Sequence, residues 1–540
     1  MRPMLKYIKT FAVIVVAVVF VTGCTDLVEN PTSEITEENF EPSERDIPNL
    51  VAPVYTPLRS FLSCCYPYVG MQDESADVSV KPVRPGGTWG GPYLPWHRHN
   101  WTPSHFYVGN FDRTGNWEVF FNGINAANRV LSQVESGEIP IEGEPRTKLV
   151  AELKVARAFY YMLLMDNFGN VPIVTSFETE EPPEQSSRQE VYDFVVQQLT
   201  DNIPNLSEKA DQSTYGRFNK WAGKMVLAEV YLNAGVYRGD VRDVDAGQNG
   251  EWEKVIQVTN DIINAGRYKL EPDYRASFVR ENQSSDEIIF AIPYDEVQAG
   301  GNTMHMSNLT SEARQAFNMR ASPWGGASGQ PQFTGSYDEK DQRLEDSWIT
   351  GTLRGPQGDS VTTYRRNIPS LTNTAYTDGY KSKKYEIYDG LQVSSDVDMP
   401  FYRYAETLLM KAEALLRTGR GDQAAEIVTR VRERSFEDPA DATVTASELK
   451  QPSTVSWGIW QDGEVVEPDT GPEIKYGRFM DELGWEFAME GHRRQDMIRF
   501  GAFTTKSWFR HEASESYKRL FPIPIVALDT NPNVSQNPGY

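Results

Sequence analysis

Cysteine is nearly absent from this chain: its 540 residues include only Cys24, Cys64 and Cys65. That excludes a disulfide framework, and it excludes an all-cysteine zinc site. Cys64 and Cys65 are adjacent, and they read either as two buried thiols or as a strained vicinal disulfide. An excess of positive charge is missing too. With 53 Lys and Arg against 76 Asp and Glu, the net charge is −23, which argues against nucleic acid or an anionic lipid surface as the main partner. No G-x-S-x-G elbow, P-loop or H-E-x-x-H zinc helix occurs, and no cofactor or metal is expected. Long apolar runs are also lacking. The one candidate, 11–21, has eleven residues where a membrane-spanning helix needs ~20.

That short run follows Arg2, Lys6 and Lys9, the pattern of a secretory signal. It ends in Val21-Thr22-Gly23-Cys24, an apolar residue, two small ones and a cysteine, which is a bacterial lipobox. A plain signal peptide would instead show small residues at two spaced positions. The expectation is a signal at 1–23 and a mature chain that starts at a lipidated Cys24. Acyl chains contribute ~0.8 kcal/mol per buried methylene, so two or more hold stably. The polar, acidic stretch 24–45 then reads as a tether, and 46–540 as the folded body.

Helical hairpins dominate that body, so the chain is expected to be mainly α. Apolar periodicity predicts helices over 117–134, 148–166, 221–234, 252–265, 401–418 and 422–434. Gly169, Gly266 and Gly419 stand where C-caps belong. Ala412 and Ala424 have the spacing of the two small crossing positions of a tetratricopeptide hairpin, and Leu227, Ala228 and Tyr231 fit a first helix. The expected architecture is a stack of such hairpins. Between them lie long irregular segments, 82–111, 298–360 and 451–477, whose aromatic content argues against simple disorder.

Three constellations could carry chemistry. His97, His99 and His105 fall within nine residues, but no Asp, Glu or Cys completes a ligand set, although Asp112 follows. Glu486 and Glu490 sit four apart on an apparent helix, 485–497. Glycosidase carboxylates face each other across the sugar, so these two, flanked by Arg493 and Arg494, read as a buried ion-pair network. The third is W-G-G-P-Y-L-P-W-H-R-H-N-W at 89–101. Its Trp89, Tyr93, Trp96 and Trp101 could display ring faces to a sugar, with Arg98 or Asn100 for the hydroxyls, or could plug the core. Both readings stand open.

The order of these pieces resembles the SusD/RagB family of surface glycan-binding lipoproteins from Bacteroidetes. The likeness covers the whole expected mature chain. It is carried by the lipobox at Cys24, by A-R-A-F-Y-Y-M-L-L-M-D-N-F-G-N-V-P at 156–172, and by 216–232 with Arg217 and Lys220. It continues with A-E-T-L-L-M-K-A-E-A-L-L-R-T-G-R at 405–420, E-F-A-M-E-G-H-R-R-Q-D-M-I-R-F-G at 486–501, and the tail 521–540 with F-P-I-P and Q-N-P-G-Y. The resemblance implies a tetratricopeptide-like scaffold with a loop-rich, ligand-binding lobe, in N-terminal and C-terminal halves of about 46–235 and 285–540. It implies capture of oligosaccharides at the outer-membrane surface, as the lid of a SusC-like TonB-dependent transporter, without catalysis. The best-matching contact positions are Trp89, Tyr93, Trp96, Trp101 and Trp324. Thr25, Asp26 and Glu29 match only in part the acidic stretch that sends such lipoproteins to the outer face. A peptide-binding member of the family and a surface glycosidase are the alternatives.

Overall fold

The computed structural model describes residues 46–63, 67–109, 115–178 and 181–540. The signal, the Cys24 lipobox, the acidic tether, Cys64, Cys65 and Asp112 lie outside the described residues. Seven helices form the scaffold: α1 (Asn116–Ser136), α2 (Gly143–Phe168), α3 (Arg188–Asn202), α4 (Lys220–Leu232), α5 (Trp252–Ala265), α6 (Tyr404–Arg417) and α7 (Gly421–Arg432). Each packs on the next in sequence, from α1 on α2 through α6 on α7, which is a stack of helical hairpins. Gly169, Gly266 and Gly419 take the positive φ values expected of caps, 75°, 61° and 82°. Ala412 and Ala424 are fully buried where α6 meets α7, a crossing that larger side chains would force apart.

Two expectations differ. Helix α3 is absent from the periodicity reading, although Ser187 and Glu190 form a capping box at its start, each side chain bonded to the other's backbone N–H. The helix expected over 401–418 begins at Tyr404. Met399–Arg403 is instead a buried strand, antiparallel to Ile288–Ile292, whose apolar residues face packing partners on both sides.

The irregular lobe is inserted chiefly between α5 and α6 and gathers the 74–109 and 436–476 segments. It contains short two-stranded ribbons and no larger sheet among the described residues. The scaffold and lobe share one main core, in which residues of both expected halves, such as Phe159 and Phe401, touch ring to edge at 5.1 Å. No described helix is long and apolar enough to cross a membrane.

Glu486 ends α8 (Gly477–Glu486), and turns separate it from α9 (Arg493–Arg499), so Glu490 is not on the same helix as expected. The ion-pair reading is what the structure contains. Glu486 meets Arg343, Arg403 and Arg434 at 3.1, 2.9 and 2.6 Å; Glu490 meets Arg403 and Lys384, both at 2.7 Å. All of these side chains are buried. Burial would raise the Glu486 carboxyl, but the three guanidiniums hold it well below the usual range.

Candidate functional site

The 89–101 segment divides into an interior and a surface part. Trp96 and Trp101 have 0% and 2% exposure, stack on each other at 5.4 Å and meet Phe521 at 5.3 and 4.9 Å. The Trp101 N–H donates to the Tyr540 hydroxyl at 2.6 Å. These two indoles pin the C-terminal tail into the core, so they present no face to a ligand; the expectation for them is corrected. Tyr93 is also largely buried and backs Trp89 at 5.4 Å. Arg98 is exposed, and no described contact joins it to the surface aromatics.

The histidines pack as well. His97 Nε2 bonds the Phe509 carbonyl at 2.6 Å, and His99 bonds Ser514 Oγ and the Ser75 carbonyl at 2.8 and 2.7 Å. Burial lowers His97 to about 4 and His99 to about 3, so both are neutral.

Trp89 and Trp324 remain at the surface, and the fold brings them together across 235 residues. The Trp89 Nε1–H donates to the Trp324 carbonyl at 3.2 Å. Trp89 has φ 61°, a left-handed conformation that costs a bulky residue about 1–3 kcal/mol and persists only where surroundings impose it. Its ring lies on Gly326, where a Cβ would stand 2.6 Å from the indole, so no larger residue fits beneath it. Gly325, φ 74°, admits the Tyr376 ring in the same way, at 2.7 Å. The Tyr376 hydroxyl is 3.0 Å from Thr88 Oγ1. Trp324 is 37% exposed. Three rings from three loops thus form one half-open aromatic patch.

A buried cation holds those loops. Arg84 donates to the carbonyls of Gly326 (3.2 and 3.1 Å), Ala375 (2.6 Å) and Asp378 (3.3 Å), and to Ser328 Oγ at 2.6 Å. Burial lowers its guanidinium to about 10. Short pairings set the frame: Ser79 and Val80 pair with Gly329 and Ser328, while Val83 bonds Leu371 and Thr374. Neither Arg84's bridging role nor Tyr376 is legible in the sequence, because the partners of Arg84 lie more than 240 residues away and those of Tyr376 are Gly325, in another loop, and the distant Thr88. The only sequence cue was the glycine pair after Trp324.

A scaffold of stacked helical hairpins with a loop lobe displaying an aromatic patch defines a class of binding proteins, and the comparisons specify it. The model of the SusD family matches residues 286–540, and a second, described as "Starch-binding associating with outer membrane", matches 93–232. The chain belongs to the SusD family. It is 27% identical over 442 residues to the starch-binding protein SusD of Bacteroides thetaiotaomicron, covering 72% of each chain. It is 25% identical over 421 residues to a SusD-like protein of Bacteroides ovatus, covering 71% of each. Among solved structures, surface glycan-binding protein A of Bacteroides thetaiotaomicron, in complex with laminarihexaose, superposes with a TM-score of 0.67. The identity is 21%, over 91% of this chain and 99% of that one. NanU of B. fragilis gives 0.70 at 18% identity, over 95% and 99%. At such identities these structural likenesses establish the fold.

Proposed function

We propose that this protein is a surface glycan-binding lipoprotein that captures an oligosaccharide on the patch of Trp89, Trp324 and Tyr376. The observation that carries the reading is Trp89: a large apolar ring, held in a left-handed backbone conformation at the surface and fixed to Trp324 by its own N–H. A sugar ring has an apolar C–H face that stacks on such a ring, and a rigid platform loses little freedom on binding. The naming of one relative for starch, and the laminarihexaose in one structural neighbour, support the ligand class. Catalysis is not proposed, because Glu486 and Glu490 are committed to arginines and a lysine inside the core.

Cys24 carries the acyl anchor in this reading, and the protein sits on the outer membrane. Binding alone moves nothing across a membrane, so delivery requires a separate barrel, a SusC-like TonB-dependent transporter. Tethering both partners to one membrane raises their effective concentration and stabilises a modest interface.

A glycan array probed with the detergent-solubilised full chain tests the reading. The wild type is expected to retain a defined set of glycans, and Trp324→Ala to lose them. Absence of any glycan signal, with capture of peptides instead, would contradict it.

A further inference from the structure

Another partly exposed indole contacts the loop that carries Tyr376. Trp460 belongs to a projecting hairpin of Gly458–Gln461 and Glu464–Pro468, and its Nε1–H donates to Asn367 Oδ1 at 3.3 Å. An isolated two-stranded hairpin is marginal in water. This one is fastened at its root. Gln332 Nε2 donates to the carbonyls of Ser456 and Gly458, and Gly458 N donates to Ser507 O at 2.8 Å. Its tip turns through Asp462 and Gly463, with φ 53° and 102°. The position of the indole is therefore set by the fold.

The backbone relates this position to the patch. Gly90, next to Trp89, packs on Val83, where a Cβ would lie 2.7 Å from the Val83 nitrogen. Val83 in turn donates to Leu371 O at 2.8 Å and accepts from Thr374 N at 3.1 Å. From Leu371 back to Asn367 is four residues, a reach of at most ~14 Å. The 365–378 loop is closed at its neck by the Arg365–Asp378 bridge. One arm of this loop carries Tyr376 in the patch; the other carries Asn367 against Trp460.

Asn367 Oδ1 accepts from Trp460, which leaves the N–H end of that amide as a donor beside the ring. Arg366 is exposed and has no ion pair among the described residues. Arg510, held at φ 50°, donates to Pro369 O at 2.8 Å, and its shielded Nε has no partner. A ring face held against the Asn367 amide, on a loop that carries Arg366 and accepts a hydrogen bond from Arg510 at Pro369 O, offers what the patch offers: stacking for a sugar's C–H face and hydrogen bonds for its hydroxyls.

We infer that Trp460 and Asn367 form a second sugar subsite, and that the binding surface runs from Trp89 and Trp324 along the 365–378 loop to Trp460. Its ligand is an oligosaccharide chain long enough to occupy both ends at once. This inference rests on the glycan reading of the patch.

The test is affinity electrophoresis of the detergent-solubilised full chain in gels containing laminarin, amylopectin, xylan or pullulan. Titration follows with size-fractionated oligosaccharides of the polysaccharide that retards the wild type most. Wild-type affinity is expected to rise with chain length. Trp460→Ala is expected to bind the shortest oligomers as the wild type does, yet lose fivefold or more on the longest. Trp460→Phe, which keeps a ring, should recover part of that loss and guards against a folding defect. Trp89→Ala should weaken every length. If Trp460→Ala matches the wild type at all lengths while Trp89→Ala binds weakly, the second subsite is refuted and the patch stands. If no polysaccharide retards the wild type, the glycan reading fails and the subsite with it.

Discussion

Replacing Arg84 by methionine removes the group that ties three loops together, and with it the cation 5.9 Å over the Tyr376 ring, while leaving every ring of the patch in the chain. Three carbonyls and the Ser328 hydroxyl lose this donor; Ala375 O keeps the Asp378 N–H at 3.0 Å, Asp378 O keeps Ser328 Oγ at 2.9 Å and Ser328 Oγ keeps Lys381 Nζ at 2.7 Å, so among the described residues Gly326 O is the acceptor left without one. A hydrogen bond to a charged group is worth about 1.5–3 kcal/mol, and an acceptor left buried without a donor costs about 1–3 kcal/mol. Against this stands the relief of keeping a cation out of water. The fall of the guanidinium from its ordinary value to about 10 corresponds to about 3 kcal/mol. The loops can also open and hydrate, so the net destabilisation is expected to be about 2–4 kcal/mol, confined to the patch. The assays are limited proteolysis within 365–378, emission of the surface tryptophans, and glycan titration. Cleavage in the loop should quicken, the emission should shift, and binding should weaken at least tenfold while helix content stays unchanged. Arg84→Lys, which cannot span four acceptors, should recover little. Unchanged proteolysis and binding in Arg84→Met would refute the bridging role.

Further outcomes follow from the buried charges and the amino terminus. Glu486→Gln leaves Arg343, Arg403 and Arg434 short of a counter-charge and should cost about 3–5 kcal/mol in chemical denaturation, with no change in reducing-end release from any glycan. Burial raises Glu229 to about 7, more than its donors Tyr402 and Gln495 lower it. The unfolded residue ionises near 4.5, so its stabilising contribution is complete below that pH and is lost as pH climbs to about 7. Glu229→Gln should therefore flatten the melting profile between pH 5 and 7 and raise stability at pH 8 by about 3 kcal/mol. Cys24→Ala should abolish labelling by a palmitate analogue and leave the membrane fraction; equal labelling of the variant would contradict the anchor.

Local periodicity located the scaffold. The 252–265 helix matches residue for residue, the helix around 117–134 runs from Asn116 to Ser136, and that around 148–166 starts about a turn earlier, at Gly143, because one apolar stripe and a terminal glycine suffice to define them. The 401–403 stretch misled because an apolar run reads alike in a helix and in a strand buried on both faces; its partner at 288–292 decides. The aromatic loop was legible as two alternatives only. Trp96 and Trp101 are interior because Phe521 and Tyr540 return from the far end of the chain, and Trp89 is at the surface because the Gly326 backbone lies beneath it. Contacts of that separation leave no trace in local spacing.

The most direct measurement is isothermal titration of the best glycan from the array into the wild type, Trp89→Ala, Trp324→Ala and Tyr376→Ala. Aromatic anchors at hot spots cost about 2 kcal/mol or more when truncated. Each variant is predicted to bind at least tenfold more weakly, with melting within a few degrees of the wild type. Wild-type affinity in all three would contradict the account and place the ligand elsewhere on the molecule.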